Sequence, residues 1–499
     1  MLTLGIDSGT QSTKTIVLDF ETGKIIATAQ RAYSMVAGLE PGHLEQDPKD
    51  WIDAVDATVR ECLQTIGKRR EEVVAIGVSG QQHGMVALDS NSQPLRPAKL
   101  WCDTSTTGQC KEFTDQFGGV KGLIELAGNP ILPGYTAPKI LWLKENEPKN
   151  FKATHCFLLP HDYINFWLTG EKRMEYGDAS GTGLMDIRTR EWCKPLCDFI
   201  DKSLLDRLPK PETSRKPGGL LRDDLRKQWG LAKSPVISAG GGDNMMGAIG
   251  TGNITPGILT ASLGTSGTLY ACSDEPVIDP NGEVAAFCDS NDKWLPLVCT
   301  MNVTVVTEQV RSLFGWGVPE LDAAVASIHP GADGLLFLPY LNGERTPNLP
   351  HGTGVLHGMT PLNLTPSHMA RAAMEGATLG LAYGLQRLRE LGLAPTEIRL
   401  TGGGSKSAIW RQIAADVFGA STICPISPEG AALGAAIQSA WIFSSVNGHA
   451  IRLHDATDRI VKLDESTRCE PDTDITVLYG ELLHKQTDLT RKLRTAAYL

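Results

Sequence analysis

The chain has 499 residues, of which 41% are hydrophobic and 21% charged, and a formal net charge of −10. It is long enough for two or three domains, and an acidic balance without any acidic run argues against non-specific binding to nucleic acid or anionic membrane. No run of apolar residues is long enough to span a bilayer, no basic-plus-apolar leader follows Met1, and the eleven cysteines include no C-x-x-C pair. A soluble cytoplasmic protein with reduced thiols is expected, with Cys193 and Cys197 too few to make a zinc site.

The chain opens as a predicted antiparallel meander, with strands at Leu2–Asp7, Thr15–Phe20 and Lys24–Arg31. Its first turn, from Asp7 through Ser8, Gly9, Thr10, Gln11, Ser12 and Thr13 to Lys14, places one carboxylate among small and hydroxyl residues. Such a turn can hold a hydrated cation beside phosphate oxygens, although an ordinary polar hairpin would account for it alone. Asp47-Pro48 starts a helix whose apolar positions Trp51, Val55, Val59, Cys62 and Ile66 keep the helical period. Val73–Val78 follows as a buried strand, and Gly80-Gln81-Gln82-His83-Gly84 comes just after it with side chains suited to a polyol or ketose. A structural histidine in a loop fits the same residues.

Further on, Thr213–Gly219 reads as a surface connection, and an interdomain hinge is expected near Pro235–Gly252. Gly240-Gly241-Gly242-Asp243-Asn244 follows a strand and opens a helix. Asp243 at a helix N-terminus can take a proton from a sugar hydroxyl, with the helix dipole expected to lower its pKa; a simple capping aspartate fits equally. A second strand–turn–strand, Leu263-Gly264-Thr265-Ser266-Gly267-Thr268, echoes the first hairpin and suggests a nucleotide clamped between two related domains. Leu341–Pro347 is a polar loop in which Glu344 and Arg345 can form an ion pair. Strands are expected around Ile258–Leu263, Thr268–Ala271 and Ile398–Leu400, with helices near Pro366–Leu391, Ile409–Phe418 and Gly430–Phe443. Thr401-Gly402-Gly403-Gly404-Ser405-Lys406 matches neither a P-loop nor a dinucleotide fingerprint, so it can pass an adenosine or simply pack tightly. A polar then helical tail runs from about 467, able to pack on either half.

Two segments carry a resemblance. GYTAPKILWLKEN at 134–146, and GVLHGM at 354–359 followed by HMARAAME at 368–375, are similar to the two signatures of the FGGY family of carbohydrate kinases. The resemblance implies an α/β fold of two ribonuclease-H-like domains of the actin/hexokinase ATPase type, 1–242 and 243–499, around a central cleft. It implies ATP and Mg²⁺ as cofactors, with Asp7 holding the metal and Thr10, Gln11, Ser12, Lys14, Thr265 and Ser266 facing the phosphates. Gly402, Gly403 and Gly404 would pass the adenosine, Asp243 would be the base, and Gln82, His83, Trp101, Asp103 and Asp243 would bind the sugar.

The Gly80–Gly84 loop, the glycines before Asp243 and the Leu341–Pro347 loop narrow the implied acceptor to D-xylulose, phosphorylated at its terminal hydroxyl. The alternatives are ribulose, another ketose or polyol, and, more distantly, a sugar-responsive regulator without catalysis. A homodimer is the implied assembly, with no nucleic-acid or membrane partner. Three departures stand out: Thr104-Ser105-Thr106 lacks an arginine frequent two residues after Asp103, Gln82 replaces a frequent methionine, and Ser407 replaces an asparagine.

Overall fold

The computed structural model describes residues 1–499. In the first half, β1 (Leu2–Ser8), β2 (Ser12–Asp19) and β3 (Lys24–Ala32) form the antiparallel meander. Helix α1 (Pro48–Ile66) starts where the Asp47 carboxylate accepts the Lys49 amide, and buries Trp51, Val55, Val59 and Cys62 against the sheet. Its return strand β4 (Val73–Gly80) runs parallel to β1, and β5 (Val236–Ile237) runs parallel to β4. The short β6 (Gly241–Gly242) also pairs with β4 and leads into helix α2 (Asp243–Thr251).

The second half repeats the pattern. Strands β7 (Ile258–Leu263), β8 (Gly267–Ala271) and β9 (Leu297–Thr300) are antiparallel neighbours, and β10 (Glu397–Thr401) runs parallel to β7. Next to β10 lie β11 (Ser421–Pro425), parallel to it, and the antiparallel edge strand β12 (Leu463–Cys469). In each half the third, second, first, fourth and fifth strands lie side by side. Two meander-plus-crossover sheets of one order are the architecture of the actin/hexokinase-type ATPases. Helices α3 (Pro366–Glu390) and α4 (Ala408–Phe418) lie close to their expected bounds. The tail departs from expectation at its start: residues 467–469 belong to β12, whose partner β11 would otherwise be an open edge, and the final helix α6 begins only at Thr473. That helix (Thr473–Thr495) packs on the second half, burying Tyr479 and Leu482 against Leu336 and Leu379.

The halves are joined by an exchange of helices. Helix α5 (Gly430–Val446) follows β11 in sequence but lies on the first sheet, while α2 meets the second sheet through a 2.8 Å hydrogen bond between the Thr251 and Thr260 hydroxyls. Helix α5 meets both the first sheet and α2 backbone against backbone. A methyl at Gly5 or Gly77 would fall inside the carbonyl of Ala432 or Ala435, and one at Gly250 or Gly434 would fall inside that of Gly430 or Met246. Around these glycines Ala432, Ala435, Ala436 and Ile437 pack with Ile16, Leu18, Met246, Ile249 and Tyr270, one core drawn from both halves.

Gly434→Ala should therefore lower the melting temperature, costing about 1–3 kcal/mol despite the better helix propensity of alanine. Gly480→Ala, on the open face of α6 with nothing within 4 Å, should leave it unchanged or raise it. Equal thermal melts for the two variants would show that the helices part freely at the crossing.

Candidate functional site

The first hairpin lies at the end of β1. Asp7 pairs across the sheet with Lys14 on one side and Ser79 on the other, and the Ser79 hydroxyl donates to its Oδ1 at 2.9 Å. Burial raises the Asp7 pKa to about 6 against the opposing pull of Ser79 and Lys14, and Glu429 adds to the rise. Lys14 reaches across the cleft, its Nζ 2.7 Å from Glu429 at the start of α5. The Thr10 hydroxyl faces inward, donating to Gln81 and accepting the Trp101 indole N–H at 2.9 Å. Ser12 accepts from Gln30 at 2.8 Å, and Gln11 is exposed.

Asp243 enters from the other side. Its loop turns at Gly240, where φ is +73° and a side chain would strike the Val78 carbonyl. Gln438 of α5 grips that glycine by both backbone groups, accepting its N–H at 2.9 Å and donating to its carbonyl at 3.0 Å. Gly242 is the cap and Asp243 the first residue of α2, its Oδ1 accepting from the Asn244 backbone at 2.8 Å and the Asn244 amide at 3.0 Å. The pKa goes up, to about 7, because burial and then the Asp7 charge outweigh those bonds. This corrects the lowering expected from the helix dipole: a first-turn dipole contributes fractions of a unit in water, less than desolvation beside a like charge. The fold thus brings Asp7 close enough for its charge to oppose ionisation of Asp243.

A wall of aromatic and polar side chains closes the cleft beyond Asp243. His83 adopts φ 63°, a left-handed conformation rare outside glycine, and its carbonyl is held by the Thr136 hydroxyl and the Lys139 ammonium at 3.1 and 3.3 Å. Its ring packs on Tyr135 and Phe287, and burial, then the Lys139 and Arg345 charges, keep it neutral. Lys139, in the 134–146 segment, is fully buried and also donates to the carbonyls of Gly134 and Tyr135; burial lowers its pKa to about 7. Trp101 is half-buried at the cleft.

Gln82 and Asp103, expected at the sugar, have protein partners in this structure. Gln82 is only 5% exposed and turns toward the base loop, accepting from Asn244 at 2.8 Å and donating to the Met245 sulfur at 3.3 Å. Asp103 is completely buried and its carboxylate is saturated by the Leu44 amide, Lys99 and Ser105, so it shapes the wall from behind. Lys99, also completely buried, pairs with Asp103 at 3.0 Å and Glu45 at 3.2 Å. Its ammonium fills the centre of the His43, Glu45 and Asp103 cluster, leaving no metal site there.

The opposite edge carries the other hairpin. Thr265 is exposed and Ser266 half-buried in the turn between β7 and β8, and the Thr265 carbonyl accepts the Val303 amide at 3.1 Å. Gly402, with φ +83°, lies so close to Leu263 that a side chain would hit its carbonyl, while Gly403 faces open space and Gly404 packs on Trp410. Ser407 caps α4, accepting the Trp410 amide at 3.2 Å. The expected Glu344–Arg345 pair is absent: Glu344 is buried and accepts from Met301 N at 2.6 Å and Asn302 at 3.0 Å, while the Arg345 guanidinium turns into the cleft. The 368–375 segment is structural, its Arg371–Glu375 pair (2.6 Å) buried with the Tyr479 hydroxyl of α6. Sequence reading gave no site role to Asn244, Lys139, Arg345, Gln438 or Glu429; the first three lie inside motifs it singled out, and the other two act through the fold.

The profile of the FGGY family of carbohydrate kinases, N-terminal domain, matches residues 2–250, and that of its C-terminal domain matches residues 259–443. A Haemophilus influenzae protein named xylulose kinase is 41% identical over 474 residues, covering 94% of this chain and 95% of that one. An Escherichia coli protein of the same name is 36% identical over 440 residues, covering 87% and 88%. Among solved structures, a xyloylose kinase from Brucella ovis superposes with a TM-score of 0.92 at 28% identity, covering 99% of this chain and 100% of that one. No helix here is long and apolar enough to cross a membrane.

The raised Asp243 pKa has a thermodynamic consequence of definite sign. An ionised Asp243 is disfavoured in the folded state, so Asp243→Asn should stabilise the unliganded protein at pH 8. The gain should shrink as pH falls through about 7 and vanish below about 4, where the carboxyl is protonated folded and unfolded alike. Thermal melts at pH 4, 6 and 8 measure it, and a pH-independent difference would place Asp243 in water.

Proposed function

The chain belongs to the FGGY family of carbohydrate kinases, and on that footing we propose that it transfers the γ-phosphoryl group of ATP to the terminal hydroxyl of D-xylulose, giving D-xylulose 5-phosphate and ADP. The observation that carries this reading is the pairing of two buried carboxylates, Asp7 at the end of β1 and Asp243 at the start of α2, each raised in pKa and the second partly by the charge of the first. A carboxylate poised near neutrality is basic enough to take a hydroxyl proton and still partly ionised at working pH. As the sugar oxygen forms its bond to the γ-phosphorus, its proton passes to Asp243 and the bond from phosphorus to the β-phosphate oxygen breaks.

Asp7 supports a divalent metal at the hairpin. Its oxygens, near the further negative charge of Glu429 with Lys14 as the nearby cation, are the hard donors that Mg²⁺ takes, usually with several waters. When bound, Mg²⁺ would supply charge neutralisation on the β- and γ-phosphates. Lys14 would leave Glu429 for a phosphate oxygen, and Thr265 and Ser266 would close on the phosphates from the second half. The open space over Gly403 suits the adenosine. His83, held neutral, can donate one hydrogen bond to a sugar oxygen, with Trp101 as the apolar floor. The name shared by the Haemophilus influenzae and Escherichia coli relatives supports xylulose as acceptor.

A coupled ADP-release assay over D-xylulose, D-ribulose, L-ribulose, glycerol and pentitols tests the acceptor, with D-xylulose expected to give the highest kcat/KM. A profile headed by another sugar would replace the acceptor and keep the kinase. Asp243→Ala should fold yet lose at least about 10²-fold in turnover, as for a lost general base, and near-normal turnover would remove it from the chemistry. His83→Ala should raise KM for the sugar well above any change in KM for ATP; equal changes would make the loop structural.

A further inference from the structure

Arg345 lies in the loop after the strand Leu336–Leu338, in the second half, yet its guanidinium reaches the first. The Cζ lies 5.5 Å from the Trp101 ring centre, and Nη1 is 3.8 Å from the Cys299 sulfur. A methyl built on Gly134, beside Tyr135, would lie 3.9 Å from Nη2. The base of the side chain is fixed, because its own amide donates at 2.8 Å to Glu344, which is itself anchored on Met301 and Asn302. No carboxylate pairs with the guanidinium; a planar fork of five donors is left beside the sugar wall with one weak sulfur contact.

The other cations near that wall are spent. Lys99 is used by Asp103 and Glu45, Arg96 by Glu45 and Glu147, and Lys139 by three carbonyls. The Arg345 charge also weighs on His83 and Tyr135, placing it on the same side of the pocket as the sugar loop. A half-buried guanidinium with no protein acceptor for most of its donors has them free for the oxygens of a ligand.

We infer that Arg345 is a specificity-determining residue of the acceptor site, its guanidinium hydrogen-bonding the carbonyl and neighbouring hydroxyl oxygens at the end of the ketose remote from the phosphorylated hydroxyl. Two adjacent oxygens on C1 and C2 match the fork, while reducing C2 to an alcohol removes the planar acceptor. The contact spans the halves, so it forms fully only when the cleft holds a sugar long enough to reach from Asp243 to Arg345. The inference rests on the ketose-kinase reading.

The test compares wild type, Arg345→Gln and Arg345→Lys in the coupled assay, with each acceptor paired against its C2 alcohol (D-xylulose against xylitol or D-arabinitol). Thermal melts verify folding, which the change should spare because no ion pair is broken. Arg345→Gln should raise KM for D-xylulose by at least about tenfold, the loss expected for a hydrogen bond to a charged group, and bring ketose and polyol closer together. KM for ATP should stay within about twofold, and Arg345→Lys should recover part of the sugar affinity without the ketose preference. An unchanged sugar KM, an unchanged ketose preference, or a rise in KM for ATP in step with the sugar overturns the role. The comparison is made on whichever panel sugar the wild type phosphorylates best. A panel headed by another sugar therefore counts against xylulose alone and leaves the role of Arg345 to be decided by its own variants.

Discussion

Everything in the cleft depends on backbone lying directly on backbone where α2 and α5 cross. Four glycines, Gly5, Gly77, Gly250 and Gly434, let the helices approach the strands and each other to a distance no side chain permits. That approach lets each half lend a helix to the other and fuses the cores of the two halves into one. It also sets the active geometry, because Asp243 begins α2 and Glu429 immediately precedes α5, while Gln438 of α5 fixes the glycine turn before Asp243. A crossing loosened by one methyl would move the base loop, the Lys14 partner and the hairpin together. The chemistry and the domain junction are therefore one mechanical unit.

The electrostatics follow from this closeness. Two buried carboxylates, the charge of Asp7 opposing ionisation of Asp243, sit at the proposed phosphate hairpin, with Lys14 held by Glu429 beside them. Such an arrangement favours the arrival of a cation with the phosphates and keeps Asp243 protonatable near neutral pH. Two other buried charge groups are closed upon themselves. The Arg371, Glu375 and Tyr479 group locks the last helix to the second half, and Lys99 neutralises Glu45 and Asp103 behind the sugar wall. Arg345 stands apart, as a cation beside Trp101 with most of its donors left open.

Local pattern made much of the chain readable. The Asp47-Pro48 start of α1, the period of its apolar face, and the meander from Leu2 to Ala32 depend on neighbours within a few residues and came out close to expectation. Gly402 also answered to its sequence, since its positive φ and its closeness to Leu263 need the missing side chain. What misled was any inference about a side chain's partner. Asp103 and Gln82, expected at the sugar, take partners distant in sequence that no local pattern gave: the Leu44 amide for one, Asn244 and Met245 for the other. The Glu344–Arg345 pair failed for the same reason, because adjacent residues on an irregular loop point to different sides and Glu344 found the amide of Met301.

The amino-acid sequence by itself determined the type and order of the main elements, the two hairpins, and the presence of a carboxylate at residue 7 and another at 243, because these rest on periodicity, turn chemistry and short motifs. Only the tertiary structure decided that α5 leaves its own half, that Asp243 is raised rather than lowered in pKa, and that Arg345 rather than Asp103 faces the cleft. Each of these depends on what is packed within a few ångströms by residues hundreds of positions away. Desolvation and the distance between charges are properties of that packing, and no local pattern encodes them.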